Sequence, residues 1–237
     1  MRPLEQPRFP EVAEGAGHYE SFYLTAIAPG GGRAVWIRNT ILKRPGAPPR
    51  PTLWVTDFAA GRAPRRERVT LEEPPAVDAW LRSGQAQAGP GAFTGVAGQA
   101  RWDVRISEGE PALPYLPSLR LYDARLPSTK AVALHPRARV SGWVEVGGER
   151  TELDGWDAMV GHNWGSEHAE HWVWVHAALP DGGWFDAVLG RTRLGPLLAP
   201  WMGGGALLLL GGGERVRLGG PLGRTRVQVR GEAVELH

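Results

Sequence analysis

The sequence predicts an all-β protein laid out as a meander of antiparallel hairpins, and three observations carry that expectation. Short runs of β-branched and aromatic residues recur along the chain, bounded by Gly, Pro or charges. The 33 Gly and 21 Pro among 237 residues interrupt the chain too often for long helices. Neighbouring runs are joined by compact turns, Pro29-Gly30-Gly31-Gly32, Gly147-Gly148 and Pro180-Asp181-Gly182-Gly183, which have the chemistry of tight hairpins.

In chain order, the first set of strands is expected at residues 18–28, 33–43, 51–58, 91–97 and 99–106. Residues 77–88 have the only helical look, with Pro74-Pro75 ahead and Gly89 behind, so one short helix is the most that is expected. Residues 111–136 carry prolines at 111, 114, 117, 127 and 136. Such a stretch cannot supply central-strand hydrogen bonds throughout, and a domain boundary is placed in it, giving domains 1–125 and 126–237. The second set is expected at 138–146, 149–153, 171–179, 184–192, 206–210, 215–218 and 225–229. Two strand-rich halves without a fixed repeat suit paired antiparallel eight-stranded β-barrels or sandwiches with little helix, the second incomplete unless it closes against the first.

Composition narrows the classes. With 42% hydrophobic and 22% charged residues the chain has a globular balance. The absence of cysteine removes disulfides, thiolate zinc sites and Cys nucleophiles. The longest apolar run, residues 206–210, is far too short to span a bilayer, and residues 1–12 lack a signal-peptide core, so a soluble, cytoplasmic protein is expected. Net charge is +2, and the one basic cluster, Arg62, Arg65, Arg66 and Arg68, reads as a solvated loop and not as a nucleic-acid surface. The Gly89-Pro90-Gly91 to Gly95 stretch has no βαβ unit around it, so no dinucleotide and no other organic cofactor is expected. Eleven Trp supply broad rigid apolar surface, suited to lining a hydrophobic cavity.

Four of the seven histidines fall within residues 162–176. From His171 the chain alternates, so a strand would place Trp172, Trp174 and His176 on one face. Ahead of it, Gly161 and Gly165 bracket His162, Asn163 and Trp164, as a sharp loop would. His162, His168, His171 and His176 with Glu167 or Glu170 offer metal ligands, yet no HExxH pattern is present and no metal is expected. His162 is equally readable as a buried histidine stapling a loop to backbone, and the tryptophans as core. Glu20 and Arg38 are read as a buried pair tying the first two strands, with Asn163 a structural polar residue.

Several segments resemble the proteins related to carotenoid 1,2-hydratase (hydroxyneurosporene synthase), a lipocalin-like family with tocopherol cyclase and lipocalin-like Diels-Alderases as more distant similar proteins. They are His18-Tyr19-Glu20-Ser21-Phe22-Tyr23, Ala34-Val35-Trp36-Ile37-Arg38, Leu126-Pro127-Ser128-Thr129-Lys130, and Leu153-Asp154-Gly155-Trp156 leading into Gly161-His162-Asn163-Trp164-Gly165. The resemblance implies tandem lipocalin-like barrels that bind a bulky apolar small molecule, isoprenoid or polyketide-like. It implies acid-assisted hydration, cyclisation or isomerisation, with a non-catalytic carrier as the rival. Trp184-Phe185-Asp186 fits the position of the hydratases' acid, two residues after an aromatic. Asp186 is therefore the expected proton donor and His162 the group that orients or deprotonates water, while Asp154 and Asp157 are competing acids. Trp164, Trp172, Trp174, His176, Trp184, Trp36 and Tyr23 are the expected ligand-binding residues, and His162, Trp164 and Asp186 are expected to converge on one cavity.

Overall fold

In a computed structural model the chain is all-β, with two 3-10 turns (Phe9–Glu11 and Leu119–Tyr122) as its only helical segments among the described residues. The structure describes residues 2–179 and 183–191, and beyond them the strand segments 193–194, 197–198, 202–209, 215–218, 227–230 and 233–236. The predicted turn residues 180–182 and the strand ends at 192, 210 and 225–226 lie outside the described residues.

The strands of the described core are β1 (His18–Ile27), β2 (Arg33–Lys43), β3 (Arg50–Ala59), β4 (Arg65–Thr70), β5 (Leu81–Ser83), β6 (Ala86–Ala88), β7 (Ala92–Ala97) and β8 (Ala100–Ser107). They continue as β9 (Leu113–Pro114), β10 (Thr129–Val146), β11 (Glu149–Glu152), β12 (Trp156–Gly165), β13 (His171–Ala178) and β14 (Trp184–Arg191). The chain divides into two compact units, Met1–Leu113 with Ser128–Glu167, and Pro114–Pro127 with His168–His237. The predicted cut at 125/126 is thereby corrected. β10 pairs with β8 and β12, and β12 pairs with β1, so the Gly161–Gly165 segment belongs to the first unit and not to a C-terminal domain.

The first unit is one antiparallel sheet of twelve strands in the order β4-β3-β2-β1-β12-β10-β8-β7-β6-β5, with β9 and β11 pairing β10. Alternation sets its faces. Phe22, Leu24, Ile37, Ile41, Leu53 and Val55 are sealed on the inner face. Phe22 stacks on Trp80, which meets Phe93 of β7 edge-on, so β1 in the middle of the order and β7 near one end share one core. A buried ion network adds a second tie. Asp57 of β3 accepts from Arg33 and Arg65 and from the Thr151 hydroxyl of β11, while Arg65 also pairs with Glu149. Burial would raise the Asp57 carboxyl, but the two guanidiniums outweigh it and hold it below its usual range. The arginine cluster is therefore not a solvated loop throughout: Arg65, Arg66 and Arg68 lie on β4, where alternate residues turn in and out.

Two local expectations change. Residues 77–88 form no helix; β5 and β6 make a short hairpin whose turn residue Gly84 has φ of 57°, and Leu81, Ser83, Ala86 and Ala88 are its buried, period-2 positions. Pro136 does not exclude a strand either. It sits inside β10 between register shifts at Ala133/His135 and His135/Ala138, a bulge where no ladder N–H is needed.

In the second unit β13 and β14 pair antiparallel and continue through Met202–Leu209 to Arg215–Leu218 as a four-stranded sheet. Its N-terminal portion, Pro114–Pro127, is ordered on itself: the Leu116 amide donates to the Tyr122 hydroxyl at 3.1 Å.

Candidate functional site

Two fully buried carboxylates, Glu20 and Asp186, organise the polar interior, one in each unit. Glu20 sits on the inner face of β1, cross-strand from Trp164. Its oxygens accept from the amides of Arg8 (2.8 Å) and Phe9 (2.8 Å), from His18 Nε2 (3.1 Å) and from His162 Nε2 (2.8 Å). Burial pushes this carboxyl up, but the hydrogen bonds from His162 and His18, the charge of His162 and the Arg8 amide more than reverse it and hold it at about 2. The other nitrogen of His162, Nδ1, lies 2.8 Å from the Leu4 carbonyl, which can only accept. The His162 ring thus bridges the ionised Glu20 carboxylate and the Leu4 carbonyl, one nitrogen to each.

This geometry defines the role of His162. Its ring is sealed, stacked between Phe22 (4.0 Å) and Trp164 (4.5 Å), with the Arg8 guanidinium over the far face of Trp164 at 4.9 Å. Neither nitrogen is open to a water. The staple reading holds and the water-activating role does not: His162 and Glu20 fasten the N-terminal segment over β1 and β12. Lys43 assists, donating to the carbonyls of Ala13, Glu14 and Ala16.

The predicted loop around His162 is instead the end of strand β12. Gly161 and Gly165 make no turn; a Cβ at Gly161 would strike the Tyr23 ring, and one at Gly165 the Ser128 carbonyl. The predicted Glu20–Arg38 pair does not form, because the two side chains point to opposite faces of the sheet. Arg38, paired in register with Tyr23, donates instead to the hydroxyls of Ser21 (2.9 Å) and Tyr19. Trp36 shares that face, two residues along β2.

Asp186 has a different neighbourhood. The register His176↔Asp186, Trp174↔Val188 and Ala178↔Trp184 places Trp172, Trp174 and His176 on the same face as Trp184, Asp186 and Val188, the parity expected from sequence. The Asp186 Oδ1 accepts from the Tyr115 hydroxyl at 2.6 Å; Oδ2 accepts from the Trp174 indole at 3.3 Å and lies 2.9 Å from His176 Nδ1. An indole only donates, so Oδ2 is an acceptor, and the arrangement that satisfies every group has His176 Nδ1–H donating as well. His176 Nε2 is then the nitrogen turned away from the carboxylate, and it has no hydrogen-bond partner among the described residues. The ring stacks near Trp174 at 6.2 Å. Such an Asp–His pair can hold one tautomer and pass a proton at Nε2.

The other candidates scatter. Trp184 is sealed, Trp172 is about half exposed at 48%, and His168 and His171 lie exposed at and before the start of β13. Among the described residues no group of three or more His, Asp or Glu side chains is placed to hold a metal ion. Asp157 is taken by Arg137 and Arg139 in ion pairs. Sequence reasoning missed Tyr115 and His18. The first lay in the proline-rich stretch read only as a boundary, though Tyr115 and Tyr122 are large aromatics among prolines that a bare linker would not need. The second is signalled by the His18-x-Glu20 spacing, which puts both on one face of a strand.

The fold and these two clusters define an all-β protein with a buried acid in each unit. No family model matches the chain. The uncharacterised protein Rv0493c of Mycobacterium tuberculosis, and the uncharacterised MT0513 of a second strain, are each 27% identical over 196 residues, covering 79% of this chain. The chain spans 59% of the length of these relatives. Among solved structures, a putative AttH from Nitrosomonas europaea superposes with a TM-score of 0.58 at 18% identity, over 99% of this chain and 82% of its own. Kievitone hydratase from Nectria haematococca gives 0.50 at 12% identity (90% and 65%), and CghA, solved with Sch210972, gives 0.55 at 14% identity (81% and 57%). At these identities the likeness is one of fold. No helix among the described residues is long and apolar enough to cross a membrane.

Proposed function

We propose that the chain binds a bulky apolar small molecule, isoprenoid or polyketide-like, and catalyses acid-assisted hydration, cyclisation or isomerisation through the Asp186–His176 pair. The observation that carries this is the sealed Asp186 carboxylate held by Tyr115, Trp174 and His176. What sets Asp186 apart from the structural Glu20 is its histidine: His176 Nε2 has no hydrogen-bond partner among the described residues, which leaves a proton position that a carrier would not need. Asp186 acts as the orienting base, and the protonated His176 presents Nε2–H to an alkene or to the oxygen of a leaving water. Trp174 and Trp184 on the same face supply aromatic surface that steadies a developing carbocation. The fold shared with kievitone hydratase agrees with this reading.

The test begins with the apolar molecule that co-purifies with the chain, identified by native mass spectrometry and solvent extraction. Incubated with fresh protein in heavy water, it is expected to gain one water, or deuterium without a mass gain of water, with wild type and not with Asp186→Asn or His176→Gln. A molecule returned unchanged and unlabelled by wild type would make the protein a carrier.

A further inference from the structure

The outer face of β1 and β2 holds a cation that the fold does not neutralise. Tyr19, Ser21 and Tyr23 on β1 share this face with Trp36, Arg38 and Thr40 on β2 and with Asn163 on β12, which lies across from Ser21. Arg38 is partly buried and makes no ion pair among the described residues. Its Nε donates to Ser21 Oγ at 2.9 Å and one terminal nitrogen donates to the Tyr19 hydroxyl. The rings of Tyr19 and Trp36 flank the guanidinium at 5.7 and 5.5 Å. A guanidinium has five N–H donors, and the second terminal nitrogen finds no acceptor among the described residues. Burial with no compensating carboxylate pulls Arg38 down to about 10.

Two more groups on the same face are unsatisfied. The Trp36 indole N–H and the Asn163 side-chain oxygen are buried without a hydrogen-bond partner among the described residues. A partly buried, uncompensated cation and an idle indole donor are costly to keep unless something else satisfies them, and a bound anion, which only accepts, does so for both; the Asn163 oxygen, an acceptor, takes no part in holding it. The rest of the surface constrains that anion. One cation balances one negative charge; the fork of a guanidinium matches a planar carboxylate; and the aromatic faces of Tyr19, Trp36 and Tyr23 suit an apolar remainder.

We propose that Arg38, framed by Tyr19, Ser21 and Trp36, is the receptor for the carboxylate of an amphipathic acid, whose apolar part lies against the aromatic face of β1 and β2. The site is independent of the reaction assigned to Asp186 and His176. It gives Arg38 and Trp36 a task in place of the structural pairing expected of Arg38.

The test is calorimetric titration of the full chain with dodecanoate, dodecanol and dodecyl phosphate. Wild type is expected to bind dodecanoate about tenfold or more tighter than dodecanol, the scale of one charge-assisted fork. Arg38→Met is expected to erase that preference with dodecanol affinity unchanged. In wild type, saturating dodecanoate is expected to protect Arg38 from phenylglyoxal, mapped by peptide mass spectrometry, while exposed Arg68 stays reactive; this arm needs no variant to fold. Asp186→Asn is expected to bind dodecanoate as wild type does, which separates this site from the reaction. Equal binding of acid and alcohol, a preference that survives Arg38→Met, no protection of Arg38, tighter binding of dodecyl phosphate than of dodecanoate, or loss of dodecanoate binding in Asp186→Asn would each overturn the assignment.

Discussion

Replacing Glu20 with Gln keeps the shape of the side chain and removes its charge, and the structure sets the size of the effect. The carboxyl sits at about 2 against an ordinary 4.5, a difference of roughly 2.5 units, and each unit is worth about 1.4 kcal/mol, so the folded state gains on the order of 3 kcal/mol from this ionised group. Removing the charge from one partner of such a buried cluster costs a similar ~3–5 kcal/mol, because His162, His18 and the amides of Arg8 and Phe9 lose their charged acceptor. The sign follows from the direction of the shift. A lowered carboxyl stabilises the fold fully above the unfolded value near 4.5, and that stability drains away as pH falls toward 2. Hydrogen exchange at the amides of β1 and β12 reads the first unit alone and is not confused by the second. At pH 7 the Glu20→Gln chain is expected to lose about 3 kcal/mol of protection there, and the gap to wild type is expected to narrow steadily below pH 4.5. A gap under about 1 kcal/mol at pH 7, or one of the same size at pH 2.5, would refute the reasoning.

Two further outcomes follow from the packing. Gly165→Ala drives a Cβ onto the Ser128 carbonyl between β12 and β10, and is expected to cost about 1–3 kcal/mol by the same exchange measurement, whereas alanine at Gly148, where nothing lies within contact distance of a Cβ, pays only for its positive φ of 77°. Asp57→Asn weakens the tie between β3, β4 and β11 and is expected to cost about 1.5–3 kcal/mol at neutral pH; since this carboxyl too is lowered, the difference from wild type shrinks in acid, and urea midpoints at pH 7 and pH 3 that differ equally between the two proteins would count against it.

Much of the strand pattern was legible because it depends on local rules. Alternation and Gly turns located β1, β2, β3, β13 and β14 almost to their ends, and the same period correctly put Asp186 beside Trp174 and His176. The failures share one physical cause, which is long-range pairing. A Gly in a strand and a Gly in a turn look identical in sequence; only the approach of Tyr23 and Ser128 shows that Gly161 and Gly165 serve close contact and not a bend. Residues 77–88 carry the small residues and flanking prolines of a helix, but what fixes their conformation is Gly95 of β7, whose missing side chain admits Ala86 and Trp102. The domain cut failed for the same reason, since β10 is pinned by β8 and β12 from distant parts of the chain.

The site raises a sharper point about buried carboxylates. Glu20 and Asp186 are equally sealed and each faces a histidine, so burial and residue type alone rank them together. They part at the second ring nitrogen. The Nδ1 of His162 is committed to the Leu4 carbonyl 2.8 Å away, and the ring is stacked on both faces. No proton can reach or leave that pair without opening the N-terminal segment, so its free energy goes into fastening. His176 faces its acid with Nδ1 and leaves Nε2 without a partner among the described residues, so a proton there can be exchanged while Asp186, Tyr115 and Trp174 stay in place. A carboxylate that satisfies a histidine completely stabilises a fold, and one that satisfies half of it prepares the other half for chemistry. Sequence spacing reports the first half of each pair; the second half is set by what the rest of the chain brings to the ring.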